Sequence, residues 1–312
     1  MGSPYTVQLA GVDLPGSAVS ALRLEVETAL EEVNRQISHY RSDSELSAFA
    51  KEPSGKPFKV SRDFANLTRF ALELHGKSGG AFDPALGPLI NLWGFGEKSE
   101  RQQVPSADAL RLALAASGAR HLRVTPSDEL VKDVPGLSLN FGGVGKGFGV
   151  DEIIRVLRGH GFTNCYASIA GDVRVLGTNA HGARWKIGIS APLSLWREND
   201  PMAAVAALSN QAISTSGDYQ KFFFAADGRR LSHILDPRSG EPVQHNVGGV
   251  TVVAGDCMTA DGLATTLFVL GLERGLAFVE TWTNAAALFI LREQSGTFRL
   301  ERSSRFERLT SP

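Results

Sequence analysis

The chain has 312 residues, and its 32 Lys plus Arg against 33 Asp plus Glu leave a formal net charge of −1. That balance excludes a protein built around a nucleic-acid polymer, which requires a basic excess or stripe, and no apolar run approaches the roughly eighteen residues of a membrane span. Two cysteines, Cys165 and Cys257, are too few for a disulfide framework or a four-thiolate zinc site. A chain of this length buries enough apolar surface to need neither. Gly, at 33 residues, is about a tenth of the chain, above the usual ~7%, so the placement of those glycines carries information.

In chain order, Thr6–Val12 reads as a strand. Leu22, Val26, Leu30 and Val33 recur at helical spacing and predict an amphipathic helix over Ala18–Gln36. Ser38–Ala50 is polar and turn-like. Asp63–Ser78 predicts a second helix stopped by Gly79-Gly80. Asp83–Gly96 is apolar but interrupted by Gly and Pro, and reads as an ordered loop. Ser106–Ser117 is a third helix with Ser106 as its cap. Strands are predicted at Leu122–Val124, Leu130–Lys132 and Leu137–Phe141, and a glycine loop then leads into a helix at Asp151–His160. Further strands follow at Cys165–Ile169, Asp172–Leu176, Trp185–Ser190, Ala203–Leu208, Ala212–Ser214, Phe222–Phe224, Leu231–Leu235 and Val247–Val253. Helices at Thr259–Leu270 and Glu273–Trp282 precede closing strands at Ala285–Arg292 and Thr297–Arg302. Helices and antiparallel-looking strands without a regular βαβ rhythm favour the α+β class over a doubly wound sheet. There is no internal repeat, and the residues after Met1 show neither the basic nor the apolar region of a secretory signal.

Four clusters carry residue types suited to chemistry. In Ser78–Pro84 the paired glycines permit positive φ or close backbone approach, and Asp83 is held extended before Pro84. Trp93 and Phe95 nearby either line an aromatic slot or plug the core, and the core is the ordinary place for them. In Asn140–Asp151 five glycines surround Lys146. Gly147 follows the lysine where a P-loop has Ser or Thr, so this is not a Walker motif. Backbone N–H groups at a helix N-terminus beside a cation nevertheless suit a phosphate, and the loop's carbonyls can face a metal.

The third cluster joins Ile213–Tyr219 to Ser232–Gly240. Its hydroxyls could anchor polar ligand groups. His233, in the predicted strand and on the face of Leu235, is better placed for chemistry than the other six histidines, although a lone His is ordinarily a satisfied core or edge residue. The fourth is Thr259–Thr265. With Thr259 as cap, Asp261 and Thr265 are four apart on one helix face. Their oxygens suit Mg²⁺ or Ca²⁺ rather than zinc. The plainer alternative is an aspartate answering the helix dipole, with Thr265 bonded back to a carbonyl.

Together these clusters resemble the ApbE family, the FAD:protein FMN transferases, along nearly the whole chain. The matching pieces are Met1-Gly-Ser-Pro-Tyr5, Ser44-Glu-Leu-Ser47, Gly79-Gly-Ala-Phe-Asp-Pro84, Gly87–Gly96, Gly145-Lys-Gly147 with Asp151, Thr215–Tyr219, His233–Gly240, and Ala260-Asp261 with Thr265. The resemblance implies a single α+β domain over residues 1–312, T-fold-related, with mixed and antiparallel sheets, packed helices and two lobes holding the flavin site between them. It implies that FAD binds with Mg²⁺ on its pyrophosphate, that a Ser or Thr hydroxyl of an acceptor protein attacks the FMN phosphorus, and that AMP leaves.

By position, Met1, Tyr40, Ala81, Phe82, Asp83, Asn140, Lys146 and Leu235 are implied to contact FAD. Asp261 and Thr265 are implied to ligate the metal by side chain and Gly143 by its carbonyl, with Ala264 adding a contact from the helix turn. His233 matches the histidine implied as base. Tyr40 and Phe82 would offer ring faces or edges to the flavin or adenine. Asn140 stands where many relatives have Asp, and Ser232-His233 replaces a His-His pair but keeps its second member. Same-site alternatives are a Mg²⁺-dependent FAD pyrophosphatase, with water as acceptor, and a non-catalytic FAD store. The resemblance further implies a periplasmic protein, lipid-anchored in its precursor with the leader absent from this chain, acting on a subunit of a membrane redox complex. Cys165 and Cys257 lie in no recognisably reactive setting and read as structural.

Overall fold

The computed structural model describes residues 2–96, 102–192 and 202–311. β1 (Tyr5–Leu9) leads into α1 (Gly16–Ile37), the long amphipathic helix that the apolar spacing predicts, with Leu22, Val26 and Val33 buried. α2 (Glu45–Lys51) corrects the turn-like reading of its stretch. The Ser44 hydroxyl accepts the Ser47 N–H as a cap, and Leu46 and Phe49, three apart, bury one helix face. β2 (Phe58–Lys59) and α3 (Arg62–Lys77) follow, the latter capped by Ser61. α3 ends as predicted, with Gly79 and Gly80 at φ 60° and 81° and the Gly80 N–H donating to the His75 carbonyl.

α4 (Gly87–Leu92) is a short helix where the sequence reads as a loop. Its proline stands in the first turn, where a missing N–H costs nothing, so it starts the helix rather than breaking it. α5 (Ala107–Ala115) has the predicted Ser106 cap, and β3 (Leu122–Val124) and β4 (Glu129–Lys132) follow. Leu137–Phe141 is not a strand. Its backbone bonds run from the Asn140 N–H to the Pro84 carbonyl and from the Gly87 N–H to the Ser138 carbonyl, so its neighbour is the irregular approach to α4. Leu137, Leu139 and Phe141 are buried all the same.

α6 (Gly145–Gly159) begins at Gly145 rather than Asp151, so much of the predicted glycine loop is helix. β5 (Cys165–Ile169), β6 (Asp172–Leu176), β7 (Trp185–Ser190), β8 (Met202–Leu208), β9 (Gln211–Gly217) and β10 (Phe222–Phe224) come next. The predicted strand at Leu231–Leu235 is split into β11 (Arg230–Ser232) and β12 (Leu235–Asp236), and His233 sits in the bend between them. β13 (Glu241–Pro242) and β14 (Val247–Ala254) lead to α7 (Cys257–Leu270). The α7 cap is Asp256, whose carboxylate accepts the Thr259 N–H, so Thr259 lies inside the first turn and is not the cap. α8 (Leu272–Val279), β15 (Ala286–Arg292), β16 (Phe298–Arg302) and α9 (Phe306–Thr310) complete the described chain.

The elements form two compact units in the α+β class, matching the two lobes that the resemblance implies. The first takes the described residues of Met1–Val33, Gly143–Gly217 and Asn246–Pro312. Its seven-stranded sheet has the order β1-β5-β6-β9-β14-β15-β16, antiparallel at every pairing. Every residue of β14 is buried, as expected of an inner strand covered on both faces. α7 packs on β9 and β14, while Val253, Leu288 and Ile290 join Trp185, Leu208 and Phe306 in one core.

α6 and α7 touch at Gly147. A Cβ there would stand 2.2 Å from the Cys257 carbonyl oxygen and 2.8 Å from Met258 Cα. At that separation each helix start is closed by a carboxylate of the other. Asp151 of α6 accepts the Cys257 and Met258 N–H groups at 2.9–3.1 Å, and Asp261 of α7 accepts the Gly147 N–H at 3.0 Å.

The second unit takes the described residues of Asn34–Gly142 and Asp218–His245. It holds the sheet β2-β4-β3, the ribbons β10-β11 and β12-β13, and a core of Leu86, Leu89, Trp93, Leu231 and Leu235. Lys132, 1% exposed, donates to the carbonyls of Phe49, Ala50 and Leu137 at 2.9–3.0 Å and lies 5.0 Å from the Phe49 ring centroid. Burial pushes its ammonium below the usual lysine range.

Two substitutions test these contacts by urea unfolding. Gly147→Ala forces backbone apart and is expected to cost about 1–3 kcal/mol, the range for overpacked sites. Lys132→Met strips the donor from buried carbonyls and is expected to cost about 1–3 kcal/mol or more. A midpoint unchanged from wild type would refute the corresponding contact as a stabilising one.

Candidate active site

The densest buried charge in the first unit gathers on Lys146, in the first turn of α6. Its Nζ lies 2.8 Å from Asp172 Oδ2 and 3.1 and 3.4 Å from the two oxygens of Asp261. Asp172 and Asp261 are 2% and 1% exposed. Asp172 opens β6, and its Oδ1 accepts the Ser214 hydroxyl at 2.6 Å. Its Oδ2 is buried beside the ammonium with no donor aligned on it as a hydrogen bond.

Two carboxylates against one ammonium leave one uncompensated negative charge in a buried place. Burial and the Asp172 charge push the Asp261 carboxyl up to about 6, although Lys146 and the Gly147 N–H pull the other way. Burial alone would discharge Lys146, but Asp172 and Asp261 reverse that and hold it protonated well above the usual lysine range.

Thr265, one turn after Asp261, does not bond back to a helix carbonyl. Its Oγ1 lies 3.0 Å from Ser216 Oγ on β9, and beside them the Thr215 and Thr251 hydroxyls meet at 2.7 Å. Ala264 is buried on the same helix, and Gly143 stands just before Val144, the residue that caps α6. The structure thus brings Lys146, Asp261 and Thr265 onto the facing parts of α6, α7 and β9. It joins to them Ser216, one of the hydroxyls of the third cluster, and adds Asp172, which the sequence reading does not single out. A signal for Asp172 does exist: an aspartate opening a strand whose other residues, Arg174 apart, are apolar, straight after the tight turn at Ala170 and Gly171, whose φ values are 49° and 95°.

The remaining candidates, Met1 excepted, lie in the second unit. One carbonyl, that of Lys221, meets both the His233 N–H and the His233 Nδ1, each at 3.1 Å. A carbonyl only accepts, so Nδ1 carries the proton in the neutral ring and Nε2 is the accepting nitrogen. The Phe95 ring stands edge-on to the imidazole at 6.2 Å. Trp93 is buried and its indole N–H donates to the Gly240 carbonyl at 2.7 Å, while Phe95 packs on the Leu86–Leu235 core. The two aromatics are therefore core plugs, not a slot.

Asp83 spends its carboxylate on its own loop. It accepts the Ala85 and Ala119 N–H groups at 2.7 and 2.9 Å and lies 3.3 Å from His75 Nδ1. The hydrogen bond that the His75 ring donates to Asp83 outweighs burial and raises the His75 pKa. Ala81, Phe82 and Leu235 are buried side chains. Asn140 closes a turn by accepting the Gly142 N–H at 2.8 Å. Tyr40 is 55% exposed, with its ring 4.1 Å from that of His39. Met1 lies outside the described residues. Both cysteines are buried, and burial pushes the Cys165 thiol up to about 11 and the Cys257 thiol higher still, as inert structural thiols require.

Known proteins resemble this chain in sequence and in fold. The ApbE family model matches residues 1–289. The chain is 39% identical to the FAD:protein FMN transferase of Vibrio cholerae serotype O1, covering 98% of this chain and 90% of the relative. Among solved structures, the flavin transferase ApbE from Vibrio cholerae matches with a TM-score of 0.88 at 38% identity, over 99% of this chain and 96% of that one. The apo form of the Pseudomonas stutzeri flavinyl transferase ApbE matches with a TM-score of 0.88 at 38% identity, over 100% and 95%. Sequence and fold agree along almost the full length: the chain belongs to the ApbE family.

Proposed function

We propose that this enzyme transfers FMN from FAD to a Ser or Thr hydroxyl of an acceptor protein, forming a phosphoester and releasing AMP. The observation that carries this reading is the near-full-length match to flavin transferases at 38–39% identity. In the reaction the acceptor oxygen bonds to the FMN phosphorus, the bond from that phosphorus to the bridging oxygen breaks, and AMP departs with the bridging oxygen. His233 accepts the hydroxyl proton at Nε2, with its ring held by the Lys221 carbonyl. Lys146 supplies positive charge to a phosphate.

The local charge fits a divalent cation. Among the described residues no group of three or more His, Cys, Asp or Glu is gathered to hold a metal. The donor set is instead carboxylate, hydroxyl and carbonyl oxygen, which suits a hard ion such as Mg²⁺. The net negative charge on Asp172, Asp261 and Lys146 favours its arrival. Asp261 and Thr265 would hold it by side chain and Gly143 by its carbonyl, with Ala264 adding a contact from the helix turn. Bound there, Mg²⁺ supplies neutralisation of the charge that builds on the pyrophosphate.

Tyr40, Ala81, Phe82, Asp83, Asn140 and Leu235, with Met1, are the residues we assign to FAD. Because the Asp83 carboxylate is engaged by its own loop, its part is to shape that loop rather than to meet the ligand by charge. We place the acceptor in a membrane redox complex reached from the periplasm, on the family resemblance. No helix among the described residues is long and apolar enough to cross a membrane.

Incubation with FAD, Mg²⁺ and a candidate acceptor, followed by mass spectrometry of the acceptor, tests the reading. A mass gain equal to FMN is expected, whereas free FMN alone would make the enzyme a hydrolase. His233→Ala is expected to keep FAD bound and slow transfer by roughly 10²–10⁴-fold, and unchanged turnover would remove His233 from the mechanism. Asp261→Ala is expected to abolish most of the Mg²⁺ dependence of FAD binding in calorimetry. An equal dependence in wild type and variant would sink that assignment.

A further inference from the structure

Lys146 occupies a position that a divalent cation would contest. Its ammonium reaches both buried carboxylates at once, closer to Asp172 at 2.8 Å than to Asp261 at 3.1 Å. The two acids are fixed in different ways. Asp172 is clamped at Oδ1 by Ser214, leaving Oδ2 to the ammonium. Asp261 is held at Oδ2 by the Gly147 N–H and turns Oδ1 to the ammonium. The lysine side chain is 34% exposed against 2% and 1% for the acids, so the base of the cluster is rigid and its cation is the part with room to move.

We propose that the Lys146 ammonium is a transferable counter-charge: it shields Asp261 in the metal-free enzyme and is handed over to Asp172 when a divalent cation takes Asp261. Asp172 is then a positioning residue. It gives the displaced ammonium a partner and keeps it near the phosphate without letting it compete for the ligand carboxylate. This rests on the reading that Asp261 and Thr265 hold the cation. The chemistry is electrostatic. An ammonium and a divalent ion repel each other when both crowd one carboxylate, and a lysine left without another partner beside the ion would oppose metal binding. A second buried aspartate, held on its other oxygen by a hydroxyl and still carrying its charge, removes that opposition.

The test is Mn²⁺ binding to the full chain without FAD, followed by electron paramagnetic resonance, so that activity is not the readout. Lys146→Met removes the competing charge at similar length. It is expected to tighten Mn²⁺ roughly 10- to 1,000-fold, the span that one neighbouring charge exerts on proton binding by a carboxylate. Asp172→Asn is expected to weaken Mn²⁺ binding more strongly with Lys146 present than in the Lys146→Met background, a non-additive double-mutant cycle. Lys146→Gln, neutral but still a donor to both acids, guards against a folding defect and is expected to follow Lys146→Met.

If wild type binds Mn²⁺ and neither Lys146 variant binds it more tightly, the hand-over is wrong while the metal reading stands. The same conclusion follows if the Asp172→Asn penalty is equal in both backgrounds. If no protein in the set binds Mn²⁺, the metal reading itself falls.

Discussion

The contact at Gly147 sets the geometry of the first unit's chemistry. Two helices pack there so closely that a Cβ on Gly147 would collide with the α7 backbone, and the α6 cap, Val144, offers no side-chain bond. The orphaned N–H groups are met instead by Asp151 and Asp261, each borrowed from the other helix. Helix starts are electropositive, so the same arrangement that closes the helices draws acids into the interior. Asp261 is therefore structural and chemical at once, because its Oδ2 holds the turn in which Lys146 sits while its Oδ1 faces the ammonium.

This double duty explains why the cluster is charge-unbalanced yet folded. A buried acid pair is normally expensive, and burial does raise the Asp261 carboxyl. The cost is spread over a helix terminus, a serine hydroxyl and a lysine, none of which neutralises the pair completely. What is left over is an electrostatic demand for positive charge at one point of the fold. On the proposed function, that demand is in place before any ligand arrives, as preorganised electrostatics require.

Much of this was legible in the residues, and the parts that were not share a cause. Strands β5, β6, β7 and β10 lie where the residues predict them, and β5 alternates buried and half-buried residues along its length. The misreadings fall where a contact from elsewhere decides the local outcome. Gly145, Gly147 and Gly149 read as loop because glycine is a poor helix former, but α7 lies so close that nothing larger fits at Gly147. Leu137–Phe141 has strand composition and no strand beside it. His233 sits in a run of strand-forming residues, yet the chain bends there between β11 and β12. In the candidate site, Lys146, Asp261 and Thr265 belong to segments with recognisable patterns. Asp172 is one acid at the head of a strand, and its significance depends on a lysine 26 positions earlier in the chain, the difference between 172 and 146. Sequence spacing carries no trace of that pairing.

Lys132 has a consequence of another sort. Its amine is walled in by the carbonyls of Phe49 and Ala50 in one stretch of the second unit and of Leu137 in another, and solvent barely reaches it. Such an amine is shielded from acylating reagents for as long as those segments stay together, whatever happens at the exposed lysines. Its labelling rate is thus a clock for the opening of that unit, set by how often two separate pieces of backbone release one side chain at the same moment.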